Sequence, residues 1–196
     1  MVSILDHIGN TPLLKLNHVV DSSEVDIYVK CEFTNPGGSI KDRMALGMIE
    51  AAENRGELKP GGTLLGVAQT VKEENPDLRV TGVVPTDDPR IEWVRSRAVH
   101  KALAKFGVPE LRFLIEDLLD DNVMDNEVTV GNAEAKRMAD RLCREEGLYC
   151  GMSSGANVCA AIEMAKTMKK GSRIVTVVVD RRDRYFAEYP NEHYVV

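Results

Sequence analysis

Residues Asn35-Pro36-Gly37-Gly38-Ser39-Ile40-Lys41-Asp42-Arg43 put two glycines, a helix-capping serine and a lysine into one short run. Ser39 is placed to act as N-cap, with Asp42 three residues on, so Lys41 falls in the first helical turn. Unpaired N–H groups and the positive end of the helix dipole gather there, which makes it a poor place for an ammonium. A cation set against the dipole is misplaced for stability, so chemistry explains this lysine better than structure does. A neutral lysine amine attacks carbonyls and forms Schiff bases. The glycines before it let the backbone approach a ligand closely. The same residues also read as a surface lysine on an ordinary capped helix.

The rest of the chain alternates strand and helix patterns. Residues 12–16 and 26–30 predict short strands with alternating character. The lysine helix is expected over about 40–55, with Met44, Met48, Ile49 and Ala52 as its apolar stripe and Gly56 as its stop. A second helix follows from about Leu64 to Glu74, ended by Asn75-Pro76, and residues 78–84 form a strand closed by Pro85. Helical patterns then hold Ile91 to Phe106 and the run after Pro109, before a polar loop from Asp120 to Asn126. Residues 127–130 predict a strand, Asn132 a cap for a helix to Glu146, and Gly147 its stop. Residues 148–150 form a brief strand, and Ser153-Ser154 start a helix to about Met168. Residues 173–179 are an almost unbroken apolar run, as expected of a central parallel strand. The sum is one α/β domain over 1–196, with a largely parallel sheet flanked by helices.

Composition narrows the function classes. A net charge of -6 argues against nucleic acid or an anionic membrane as the main partner. No run approaches the roughly 18 apolar residues of a membrane span, and the first residues lack the basic and apolar segments of a secretory signal. Cys31, Cys143, Cys150 and Cys159 show no CxxC spacing and sit in apolar stretches, so they read as buried thiols in a reducing, cytoplasmic setting. His7, His18, His100 and His193 are scattered without metal or triad spacing and read as structural; no metal site is expected. Trp93 falls on an apolar helical face and reads as core.

Two further features carry chemistry. The turn Lys59-Pro60-Gly61-Gly62-Thr63 ahead of a helix is a reasonable phosphate cradle, since backbone N–H groups and the helix terminus supply donors without a side-chain charge. It is equally an ordinary Pro-Gly-Gly turn. Arg181, Arg182 and Arg184 form the one dense basic cluster, flanked by Asp180 and Asp183, and also read as a solvated, internally paired loop.

The ordered stretch Ile8-Gly9-Asn10-Thr11-Pro12-Leu13, then Tyr28-Val29-Lys30-Cys31-Glu32-Phe33-Thr34 leading into Asn35–Arg43, resembles the cysteine synthase / cystathionine β-synthase family. The resemblance implies the large domain of the fold type II enzymes that use pyridoxal 5′-phosphate (PLP). In that family the lysine at the Lys41 position carries the cofactor covalently. A Gly-Thr-Gly-Gly-Thr loop grips its phosphate, and Gly61, Gly62 and Thr63 match the end of that loop. Residues 145–157 resemble the glycine-serine turn beside the cofactor, which would place Gly151 there, although a capped helix explains these residues as well. Residues 179–185 align with Pro-Asp-Ser-Gly-Glu-Arg-Tyr, whose serine bonds the pyridine nitrogen; this chain has Arg181 instead.

The chain also departs from the family pattern. Residues 57–63 look like the segment after the lysine helix and like the phosphate loop at once, as if two Gly-Gly-Thr sites were merged. A piece of about 100 residues between them, most of the small lobe, is absent. With it goes the Ser-Gly-Asn-Thr-Gly loop that holds substrate in the family. Fusion at a shared tripeptide points to recombination or deliberate splicing. The resemblance implies β-replacement on an O-activated serine by sulfide or another nucleophile, in a homodimer or higher homo-oligomer. The alternative is a catalytically impaired remnant or engineered deletion product serving as a scaffold, binding or dimerisation module.

Overall fold

The computed structural model describes residues 3–20, 24–47, 72, 75–86 and 125–185. The fold divides into two compact units, Met1–Arg43 with Val130–Val196, and Met44–Thr129. The expected phosphate turn at 61–63, the helices over 91–106 and after Pro109, and the end of the lysine helix lie outside the described residues.

Among the described residues the first unit is built on a three-stranded sheet in the order β1 (Leu13–Lys15), β2 (Asp26–Cys31), β5 (Arg173–Val178). The β1–β2 pair is antiparallel and the β2–β5 pair parallel. Alternation along β2 is clean: Ile27, Val29 and Cys31 are buried while the residues between are half-covered. The run at 173–178 does pair in parallel, yet among the described residues it lies at the end of this sheet, not its centre. Val175 is 63% exposed there. An apolar run reports a capacity for burial on both faces, and which neighbours supply that burial is not written in the strand itself.

Helices α2 (Asn132–Glu146) and α3 (Met152–Ala165) complete the first unit. Ala135, Met138, Ala139 and Leu142 recur at helical spacing and form the buried face of α2. The helices meet at Gly155, where a Cβ would fall on the Ala135 carbonyl oxygen and reach the Ala139 nitrogen at 2.8 Å. Only hydrogen fits between the backbones. Gly147 stops α2 in the left-handed conformation, as its position predicts. The caps differ from expectation: Gly131, not Asn132, caps α2, and Gly151 caps α3, neither with a side-chain bond. Residues 148–150 contribute a single bridge at Cys150 and no strand.

Among the described residues, β3 (Thr81–Pro85) of the second unit pairs with β4 (Asn126–Val130), whose last residue belongs to the first unit, in a two-stranded sheet. The Asp125 carboxylate accepts from the Val80 N–H at 2.7 Å and pairs with Lys72 Nζ at 2.8 Å. Both anchors stand at the mouth of the pair. Among the described residues no helix is long and apolar enough to cross a membrane.

Candidate active site

Three segments of the first unit converge: the lysine loop 35–41, the turn 149–151 ahead of α3, and the chain after β5 at 179–185. Backbone bonds staple them together. Ile40 N–H donates to Val179 O at 2.9 Å and Arg181 N–H to Gly38 O at 3.2 Å. Gly151 N–H donates to Asp180 O at 3.2 Å and Arg182 N–H to Tyr149 O at 3.4 Å. Residues 180–181 are therefore held between the lysine loop and the turn. Two polar bonds dock α3 under the end of β5: the Ser154 hydroxyl accepts from Val179 N–H at 3.0 Å, and Asn157 Nδ2 donates to Val177 O at 2.9 Å.

The lysine helix, α1, is described over 41–47 and begins at Lys41. Ser39 caps it, its hydroxyl accepting from the Lys41 N–H at 3.2 Å. Asp42 does not close a capping box on Ser39; its carboxylate accepts from the Gly37 N–H. The glycine pair opens the space for that reach, since a Cβ on Gly37 would strike the Asp42 carboxylate. Lys41 itself is exposed.

Beneath the loop lies a buried network that sequence reasoning missed as a unit. The Glu32 side chain is 3% exposed and takes a two-pronged bond from Arg43, Nε to Oε2 at 2.7 Å and Nη2 to Oε1 at 2.9 Å. Thr11 Oγ1 and Asn35 Nδ2 each add a donor at 2.8 Å. Burial works to raise the Glu32 carboxyl, but the bonds from Arg43, Thr11 and Asn35 and the guanidinium charge outweigh it. The net effect holds the group below its ordinary value of 4.5. The only sequence signal for this network was a carboxylate just after an apolar strand and an arginine eleven residues on.

The Arg181 side chain lies over Gly38, whose φ of +78° is in the left-handed region; a Cβ there would meet Arg181 Nε at 2.9 Å. Arg181 is 51% exposed and its Nε faces Asp183 Oδ1 at 3.3 Å. A Cβ on Gly151 would meet Asp180 Oδ1 and the Tyr185 ring, each at 2.5 Å, so that turn also requires glycine. Tyr185 OH donates to Asp180 Oδ2 at 2.6 Å, while the buried Asp180 Oδ1 has no hydrogen-bond partner. The fold thus gathers the backbones of Lys41, Gly151 and Arg181, three of the predicted site residues. Gly61, Gly62 and Thr63 lie outside the described residues.

The cysteines are all free. Cys31, Cys150 and Cys159 are buried, as their apolar surroundings predict, but Cys143 is only half-buried. Burial pushes the Cys150 thiol up to about 12 and Cys159 up to about 11. Among the described residues no His, Cys, Asp and Glu group is placed to hold a metal ion.

Comparison with known proteins bears on this geometry. A cysteine synthase of Staphylococcus aureus is 26% identical over 301 aligned positions, which cover 94% of this chain and 95% of the relative. Set against a chain of 196 residues, 301 positions leave at least 105 with no residue here. A cystathionine beta-synthase of Apis mellifera is 24% identical over 320 positions, covering 100% of this chain and 62% of the relative. The crystal structure of an O-ureido-L-serine synthase superposes with a TM-score of 0.74 at 22% identity, covering 95% of this chain and 94% of the other. That of a cystathionine beta-synthase from Bacillus anthracis gives 0.54 at 23% identity, covering 91% and 97%. Both share the mixed α/β fold. The sequence profile of the pyridoxal-phosphate dependent enzymes matches residues 4–60 and 58–180, two pieces that meet just ahead of Gly61-Gly62-Thr63. This chain belongs to the pyridoxal-phosphate dependent enzyme family, and its cofactor is pyridoxal phosphate.

Proposed function

We propose that the chain is a cysteine synthase-like enzyme that replaces the β-substituent of an O-activated serine with sulfide or another nucleophile. One observation carries this reading: a lysine exposed at the first turn of a capped helix, stapled to the segments that bear Gly151 and Arg181. The cysteine synthase relative supports the reaction class. A cytoplasmic homodimer belongs to the same reading.

The donor set fits the cofactor. Lys41 offers a primary amine for its aldehyde, and Gly38 and Gly151 leave room for the Arg181, Asp180 and Tyr185 side chains that lie against the loop. The family resemblance assigns the phosphate to Gly61, Gly62 and Thr63, which lie outside the described residues. Arg181 has donors and no acceptor, so as a ring-nitrogen partner it suits a nitrogen that accepts a hydrogen bond and carries no proton. Bound pyridoxal phosphate supplies an electron sink for the charge left at the substrate α-carbon. Lys41 Nζ would hold the cofactor and, once released by the incoming substrate amine, would be the base for the substrate α-proton. The surrounding loop would orient both, and Arg181, having no acceptor to offer, would favour a ring nitrogen without a proton and so a weaker sink.

A second reading rests on the two-piece family match. The chain has no Ser-Gly-Asn-Thr-Gly with which to orient a substrate carboxylate, and an unoriented substrate loses most of the proximity advantage. In that reading the chain is an impaired remnant that keeps the cofactor lysine and serves as a scaffold or dimerisation module.

The discriminating experiment is cysteine formation from O-acetylserine and sulfide by the cofactor-loaded chain, with Lys41→Ala as reference. Turnover that depends on Lys41 supports the enzyme. A spectrum that depends on Lys41 but does not respond to O-acetylserine supports the remnant. The absence of any lysine-dependent spectrum at saturating cofactor contradicts the enzyme reading.

A further inference from the structure

The Glu32 network has a shape that stability alone does not explain. A buried ion pair contributes little compared with well-packed apolar residues of the same volume. Its partners, however, are the residues that bracket Lys41. On one side Asn35 Nδ2 bonds Glu32 Oε2 at 2.8 Å and the Ser39 carbonyl at 3.2 Å, and Ser39 caps the Lys41 N–H. On the other side Arg43, two residues past Lys41, is held in both prongs by the same carboxylate.

Arg43 Nη2 also donates to Gly9 O at 2.5 Å and Thr11 Oγ1 at 3.2 Å, and Gly9 N–H donates to Asn35 Oδ1 at 2.8 Å. Gly9, at φ +92°, leaves room for the guanidinium: a Cβ there would meet Arg43 Nη1 at 2.8 Å. One carboxylate therefore fixes the backbone before and after Lys41 while the lysine side chain takes no part. All of these residues belong to the first unit, and Arg43 is its last residue before the chain enters the second.

We infer that Glu32 and Arg43 are positioning residues for Lys41: the carboxylate acts through Arg43 and Asn35 to hold the first turn of α1 so that the Lys41 amine is presented in one place. The inference rests on Lys41 being the cofactor lysine. It adds that, among the described residues, the bonds that bracket this lysine come from Gly9, Thr11, Glu32 and Asn35.

The test is site selectivity. The full chain is incubated with limiting pyridoxal phosphate, the adduct is fixed with borohydride, and peptide masses give the label on Lys41 relative to exposed Lys170. Arg43→Ala and Glu32→Gln are expected to lower that ratio about tenfold, since a displacement near 1 Å is enough to cost a reacting group that much. Arg43→Lys, which restores the charge without the two-pronged bond, should recover part of it. Circular dichroism selects folded variants. Should the two strong variants not fold, Thr11→Val removes one bond to Glu32 and should lower the ratio about twofold to threefold. Folded variants with the wild-type ratio overturn the positioning role and leave Lys41 as the cofactor lysine. A wild-type chain with no preference for Lys41 overturns both.

Discussion

Two carboxylate clusters flank the lysine loop, and they are finished differently. Glu32 is buried with both oxygens taken, by Arg43, Thr11 and Asn35. Asp180 and Asp183, on the segment after β5, each keep one buried oxygen with no hydrogen-bond partner, although Asp183 Oδ1 stands 3.3 Å from Arg181 Nε. A satisfied buried network makes a rigid frame, whereas an unsatisfied oxygen leaves a position undetermined by the protein alone. The difference separates the part of the site proposed to position the lysine from the part proposed to meet the cofactor.

The largest effect expected from breaking the frame is that of Arg43→Ala. It strands a buried carboxylate and should cost about 3–5 kcal/mol, read as a fall in the denaturation midpoint. Gly155→Ala attacks the platform beneath the second cluster instead. With backbone on the far side of the missing Cβ, α2 and α3 must separate, at about 3 kcal/mol. Glu32→Gln and Asp180→Asn make the same chemical change in the two clusters. The first should cost about 2 kcal/mol and the second less than about 1 kcal/mol, because only Glu32 receives charge-assisted bonds from a guanidinium. Equal costs in chemical denaturation would erase the distinction drawn between the clusters.

Acid sharpens the same comparison. Because the folded state holds the Glu32 carboxyl below 4.5, its stabilisation is complete above that value and is lost as pH falls through the lower, folded value. Denaturation curves should therefore weaken below about pH 4.5, and Glu32→Gln should flatten that decline. The smallest effect concerns the thiols. Native-state iodoacetamide at neutral pH should modify half-buried Cys143 before Cys150, whose thiol burial pushes up to about 12.

Much of the first unit was legible in the sequence because its signals are local. The alternation of Ile27, Val29 and Cys31, the spacing of Ala135 to Leu142, and Gly147 past the end of α2 each report their own element. The cap of the lysine helix was legible too, through Ser39. What escaped is non-local. Asp42 chose Gly37 over Ser39 because the glycine pair folds its backbone back toward the helix. The role of Glu32 depends on Gly9, Thr11 and Arg43 meeting in space, and no spacing rule records that. The place of β5 at the end of the sheet among the described residues depends on its neighbours, of which an apolar run says nothing.

The central claim is that Lys41 is presented by a frame that survives in this chain. An absorbance titration of the full chain with pyridoxal phosphate, run beside Lys41→Ala, tests it most directly. The account predicts a visible-range band that saturates at one cofactor per chain and is lost in Lys41→Ala. The same band in both proteins, or none in either, would contradict it.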